Sequence, residues 1–363
     1  MAKLRFLVLL GLTIGVSIKL SAQRHPVYGL SGHYGWIIPH SSELQAISQS
    51  APIGLQLDWS RVKTSERAWD SCNCYSQTGL AFNYFNYQNP DQLGSSYNLT
   101  YFAEPYLSYR KRLFFSLRAG AGITYLNRVH DPIDNPENTF YSSPVSFLLV
   151  IGPNANYRLT EKVTLMGGLH YNHISNGGMK QPNKGMNFPT MTVGVKYLPK
   201  PLDLQVREKR NDQKGQLGGY VRFFSTLPEV DLDTTSNVDN SREVLLGLSV
   251  GVLYHITHTN AFNVGVEVIR DGSYARTAEI TGSAYDPYLV GLLVGHNFVF
   301  GKLTFNQQIG WYAYRNYPPM DRQFYQRYEI LYRLGEQWQI GTSLIAHGHV
   351  AENLDLRLGY LIH

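Results

Sequence analysis

Long apolar runs are missing from most of this chain. Beyond residue 22 no stretch approaches the roughly 20 apolar residues that a spanning helix needs, and the mean hydropathy is slightly negative, so a helical membrane protein is excluded. Charge is also scarce. Only 16% of the residues are charged, and the net charge of +5 is spread along the chain apart from a basic cluster at Arg207, Lys209, Arg210 and Lys214. A nucleic-acid partner is therefore not expected. Cysteine is limited to Cys72 and Cys74, one residue apart. A bridge between them would close a tight, strained ring, so the pair reads as a turn and not as a structural disulfide. Too few other ligands lie nearby for a metal site, and neither a phosphate-cradling Gly-rich loop nor a His-Glu-x-x-His motif occurs, so no metal and no soluble cofactor is implied.

The one apolar run that does occur is at the start. Lys3 and Arg5 precede Phe6 to Ile18, which lead into Leu20, Ser21, Ala22 and Gln23. This is the pattern of a secretory signal peptide over residues 1–22, with cleavage near Ala22 and no cysteine there to carry a lipid anchor. The exported remainder is rich in Tyr (26), Phe (16) and Gly (33), and its apolar residues alternate. Such period-2 patterning behind a signal peptide predicts an all-β fold, a transmembrane antiparallel β-barrel of the bacterial outer membrane.

About sixteen strand-length segments can be marked, eight in residues 23–198 and eight in residues 215–363. Short turns such as Arg110–Lys111 and Gly301–Lys302 alternate with longer loops such as Asn127–Tyr141 and Asn176–Met186. Val244, Leu246, Leu248, Val250, Val252 and Tyr254 form a lipid-facing row, and Gly247, Ser249, Gly251 and His255 the inward one. Tyr157-Arg158-Leu159-Thr160-Glu161 recurs as Tyr332-Arg333-Leu334-Gly335-Glu336, which suggests a duplication. Residues 199–214, with Pro and several charges, are expected as a periplasmic connection. A single sixteen-stranded barrel is favoured over two tandem eight-stranded ones, because joining the halves leaves no strand edge unpaired.

The chemistry concentrates in one segment, Leu169-His170-Tyr171-Asn172-His173-Ile174-Ser175-Asn176-Gly177-Gly178, continued by Met179 to Asn187. His173 and Ser175 share a strand face with Leu169 and Tyr171, the lipid-facing row, where an unpaired polar group costs roughly 2 to 7 kcal/mol unless it has a use. The segment resembles the signature of the lipid A 3-O-deacylases of the PagL type, with catalytic His and Ser two apart on a strand before Asn and Gly; the loop Lys180-Gln181-Pro182-Asn183-Lys184-Gly185 fits as well. The resemblance implies that Ser175 is a nucleophile with His173 as its base. Asn176 and the Gly178 N–H would hold an oxyanion, and lipid A in lipopolysaccharide would be the substrate, without cofactor. Asn187 stands where the best-known members have Glu, and its parity lets it orient His173 without supplying charge. Lys180 and Lys184 are candidates for contacting lipid A phosphates. Outer-membrane lipids are the surrounding partners, and a homodimer is left open.

In the second half His173 and Ser175 correspond to Gly348 and Val350, so that half is expected to be non-catalytic. His347 and His349 read as lumen residues. The alternative left open is a passive barrel, a pore or structural protein derived from a deacylase.

Overall fold

The computed structural model describes residues 24–107, 109–177, 180–228, 230, 241–316, 323–348 and 350–362. The expected signal peptide, Gly178 and His349 lie outside the described residues. Alternating burial along nearly every strand follows from the period-2 sequence. The first eight strands are β1 (Arg24–Gly35), β2 (Ile53–Lys63), β3 (Ser76–Asn86), β4 (Ser95–Pro105), β5 (Leu113–Leu126), β6 (Val145–Arg158), β7 (Val163–Ser175) and β8 (Met186–Tyr197). The second eight are β9 (Leu217–Thr226), β10 (Leu245–Thr257), β11 (Asn260–Asp271), β12 (Tyr288–Phe300), β13 (Leu303–Arg315), β14 (Phe324–Leu334), β15 (Trp338–His347) and β16 (Val350–Ile362). Among the described residues two α-helices lie between strands, α1 (Glu66–Asp70) and α2 (Gly272–Thr281), besides a 3-10 turn at Ser42–Leu44. No described helix is long and apolar enough to cross a membrane.

The favoured single barrel is corrected. β1 pairs back with β8, placing Gly32 opposite Val193 and Leu30 opposite Val195, and β9 closes on β16 with Phe223 opposite Leu358. The chain thus forms two separately closed eight-stranded barrels. The interiors explain the count, since eight strands leave a bore that side chains can fill. In the middle of the first barrel Lys196 reaches Glu104 at 2.6 Å, and Arg118 bridges Glu104 (3.1 Å) and Asp58. In the second, Arg222, Arg327 and Arg357 engage Glu267, Glu329 and Asp355, including Arg222 to Glu329 at 2.8 Å and Arg327 to Asp355 at 2.9 Å. All of these side chains are buried. A bore twice as wide in strands would separate such partners and hydrate them.

The interior of the first barrel is polar only at mid-height. At the rim where β7 ends, here called the upper rim, Ile37, Leu44, Phe85, Tyr87, Phe140 and Phe188 are among the residues of an apolar plug. At the lower rim Trp69, Tyr75, Tyr106 and Tyr109 form a second one, against which Leu202 and Leu204 of the connection pack. The Gln205 carbonyl accepts from the hydroxyls of Tyr75 (2.8 Å) and Tyr109 (3.3 Å). The start of the connection is therefore a strap across the barrel base. In the second barrel Tyr274 of α2 packs on the cluster around Phe224, Leu289 and Tyr325. Asp271 caps this helix by accepting from the Ser273 N–H at 2.9 Å, and Gly282, at φ 66°, ends it.

Cys72 and Cys74 are also corrected, because they are joined in a disulfide. Asn73 between them takes a left-handed φ of 53°, a conformation Asn tolerates, and turns the chain back on itself.

Candidate active site

Near the upper end of β7 the alternation places Ile174 inward and His173 and Ser175 on the outward row. Across the ladder Met186 and Phe188 point inward and Asn187 outward. Ile174, Met186 and Phe188 are all fully buried in the upper plug. These anchors fix the rotation of both strand ends, so the outward side chains are held from behind. Register then sets the geometry: His173 lies directly opposite Asn187, and His173 Nδ1 is 2.6 Å from Asn187 Oδ1. The amide oxygen accepts, so the proton belongs on Nδ1 and the Nε2 lone pair is left for base chemistry. Ser175, two residues along, shares the row.

The lipid-facing reading of these residues needs refinement. Leu169 and Tyr171 on the same row are open, at 58% and 41% exposure, but Ser175 and Asn187 are each only 8% exposed. They are outward in parity and yet covered, which avoids setting bare polar groups in hydrocarbon. Part of the cover over His173 is Gly185, to which the sequence alone gives no role beyond its place in the loop. It sits at φ +75°, and a Cβ built on it would lie 2.8 Å from His173 Cε1. Only Gly satisfies both the conformation and the close approach to the imidazole.

Apolar side chains flank the polar row. Phe147 and Leu149 of β6 pair with Ser175 and His173, and both are exposed. On the other side the Ile38 N–H donates to the Asn187 carbonyl at 2.8 Å, with the Ile38 side chain exposed. Ile38 was not foreseen, because it follows the end of β1 and reaches β8 through an isolated bridge.

Asn176 is fully buried, and its Nδ2 donates to the Lys180 carbonyl at 2.7 Å. Its backbone N–H donates to Asn183 Oδ1 at 3.0 Å, so this residue holds the loop together. A carboxamide nitrogen carries two N–H groups, and one of them is engaged by Lys180. Lys180 and Lys184 are both exposed on the loop, and partial desolvation lowers the Lys184 ammonium from its ordinary pKa.

Among the described residues the second barrel carries no such row. Gly348 occupies a left-handed position, φ 63°, in the tight turn after β15. His347 points inward, its Nδ1 2.8 Å from Glu352 Oε1, and no metal-binding cluster occurs among the described residues. Gly247-Leu248-Ser249-Val250-Gly251 has the Gly-x-Ser-x-Gly spacing of a nucleophile elbow. It runs through the middle of β10 with Ser249 buried inward, without the strand-to-helix turn that would expose a nucleophile.

The family model for lipid A 3-O-deacylase (PagL) matches residues 52–196, and that for the acyloxyacyl hydrolase C-terminal domain matches residues 220–363. Among solved structures, the outer membrane enzyme PagL is 15% identical, covering 46% of this chain and 97% of its own, with a TM-score of 0.34. Neisserial surface protein A (NspA) is 11% identical, covering 47% of this chain and 96% of its own, also with a TM-score of 0.34. No curated protein matches the chain. With each barrel matched by one of the two models, and with apolar outward rows on both, the chain belongs to the PagL family of lipid A deacylases of the bacterial outer membrane.

Proposed function

We propose that this protein is a serine esterase that removes the ester-linked 3-position acyl chain of lipid A, using Ser175, His173 and Asn187. The observation that carries this reading is the 2.6 Å contact between His173 Nδ1 and Asn187 Oδ1, on the row that Ser175 shares. Ser175 Oγ attacks the acyl carbonyl while His173 Nε2 takes its proton, and the intermediate collapses as His173 returns that proton to the sugar alkoxide. Water, activated by the same imidazole, then releases the fatty acid from Ser175. Asn187 keeps the ring in one tautomer but brings no charge to the imidazolium. Asn176 and the Gly178 N–H are assigned to the oxyanion by resemblance, and Lys180 and Lys184 to the lipid A phosphates. The flanking Phe147, Leu149 and Ile38 would receive acyl chain. The second barrel takes a supporting, non-catalytic part, since Gly348 stands where His173 would be.

Mass spectrometry of lipid A from cells expressing the wild type or Ser175→Ala tests the proposal. Loss of one ester-linked acyl chain with the wild type alone is expected. Unchanged lipid A in both, from protein shown to be folded in the outer membrane, would overturn it. The passive-pore alternative draws no support from interiors filled by ion pairs.

A further inference from the structure

The outward face of the β1–β2 pair changes character in steps towards the lower rim. Leu30 lies opposite Leu57, then Tyr28 opposite Trp59, then Pro26 opposite Arg61, and last Arg24 opposite Lys63. Each step advances two residues, about 7 Å, so the stripe from Leu57 to Lys63 spans roughly 20 Å. All of these outward side chains are exposed except Pro26, which is partly covered; Trp59 is 66% exposed.

The last step is unusual. Arg24 and Lys63 are direct cross-strand neighbours, and like charges so placed repel. Arg61 shares their face, and both arginines lie within electrostatic reach of the Lys63 ammonium. Among the described residues no carboxylate forms an ion pair with any of the three. Three cations converging without a counter-charge below an aromatic pair and an apolar stripe are complementary to a molecule with an anionic head, an interfacial middle and a hydrocarbon tail.

We infer that Arg24, Arg61 and Lys63 form a binding site for the phosphate of an anionic phospholipid in the leaflet opposite Ser175, with its glycerol region at Tyr28 and Trp59 and an acyl chain along Leu30 and Leu57. The assignment of leaflet rests on the proposed function, which sets Ser175 at the lipid A side; the binding itself does not depend on Ser175 chemistry. Bound phosphate removes the repulsion between Arg24 and Lys63, so the lipid stabilises this edge of the barrel. Each cation at a membrane surface favours anionic lipid.

The test is the thermal unfolding midpoint of the full-length Ser175→Ala protein in uncharged detergent, titrated with phosphatidylglycerol, phosphatidylcholine or inorganic phosphate. Phosphatidylglycerol should raise the midpoint at a concentration at least roughly tenfold below that needed for phosphatidylcholine, and inorganic phosphate should not reproduce the effect. The variant Arg24→Gln/Arg61→Gln/Lys63→Gln should lose the preference. Arg24→Glu, which gives Lys63 a partner, should raise the midpoint without lipid and abolish the response to phosphatidylglycerol, and it serves as the test if the triple variant does not fold. Equal response to both lipids, a full effect of inorganic phosphate, or a preference that survives Arg24→Glu would overturn the inference. Since catalysis is disabled throughout, failure of the deacylase proposal cannot imitate any of these outcomes.

Discussion

At the scale of single residues, the catalytic proposal depends on an orienting group without charge. Asn187→Leu preserves approximate volume but removes the acceptor of the 2.6 Å contact. It should lower kcat for acyl release by about 10- to 1000-fold with KM little changed, since a misoriented or wrong-tautomer base weakens the proton-transfer step. Asn187→Asp should do the reverse and raise kcat severalfold, because a carboxylate also stabilises the imidazolium. A slower Asp variant would show that the amide's fit outweighs charge. Gly185→Ala introduces a methyl 2.8 Å from His173 Cε1 at a φ of +75°. It should cost more than about tenfold in kcat while the protein still folds, by analogy with other displaced active-site geometry. Unchanged kcat would mean that the loop yields and that Gly185 does not set the position of the ring. The row shared by His173, Ser175 and Asn187 was legible from parity alone. That Ser175 and Asn187 are covered was not, because no periodicity encodes the positions of Ile38, which reaches Asn187 from beyond β1, or of Gly185, which lies against His173.

At the scale of elements, strands were the easiest part to read. Among the described residues eight strands form in each half, as the alternation predicts. Alternation reports which face a residue takes, but not which strand lies beside it, and for that reason the closing pairs β1–β8 and β9–β16 escaped. α2 escaped for another reason: with ten residues and weak amphipathicity, it exists mainly because Asp271 and Gly282 cap it and Tyr274 has a plug to pack on. The plug at the upper rim makes a quantitative statement. Phe188 is fully buried there and lies one residue from Asn187. Phe188→Ala should cost about 3 to 5 kcal/mol, visible as a lower temperature for the gel-mobility shift of the folded barrel. Activity should fall faster than the folded fraction, because the mutation loosens the strand that carries Asn187. Parallel losses would limit the role of the plug to stability.

At the scale of the molecule, each interior carries its own ion-pair network: Asp58 and Glu104 with Arg118 and Lys196 in one barrel, and Glu267, Glu329 and Asp355 with Arg222, Arg327 and Arg357 in the other. The sequence did carry this signal. Asp58, Glu104, Arg118 and Lys196 all take inward parity in the first half, and Asp355 and Arg357 share it on one strand of the second. Glu329→Ala would leave Arg222 and Arg357 each short of a carboxylate and should destabilise the second barrel by about 3 to 5 kcal/mol. A double variant, Glu329→Ala with Arg222→Met, should recover part of the loss. Planar-bilayer recordings of the wild type should show no steady conductance, and a stable open level would contradict the filled interiors.

Separate closure has a consequence for descent. A ring whose last strand returns to its first leaves no open edge at the junction, so a gene encoding two such rings in series can gain or shed one of them in a single event. The strap of residues 199–208 would stay with the first ring, since Leu202, Leu204 and Gln205 pack and bond at its base. A descendant that discarded the second ring would be under pressure to keep that short tail.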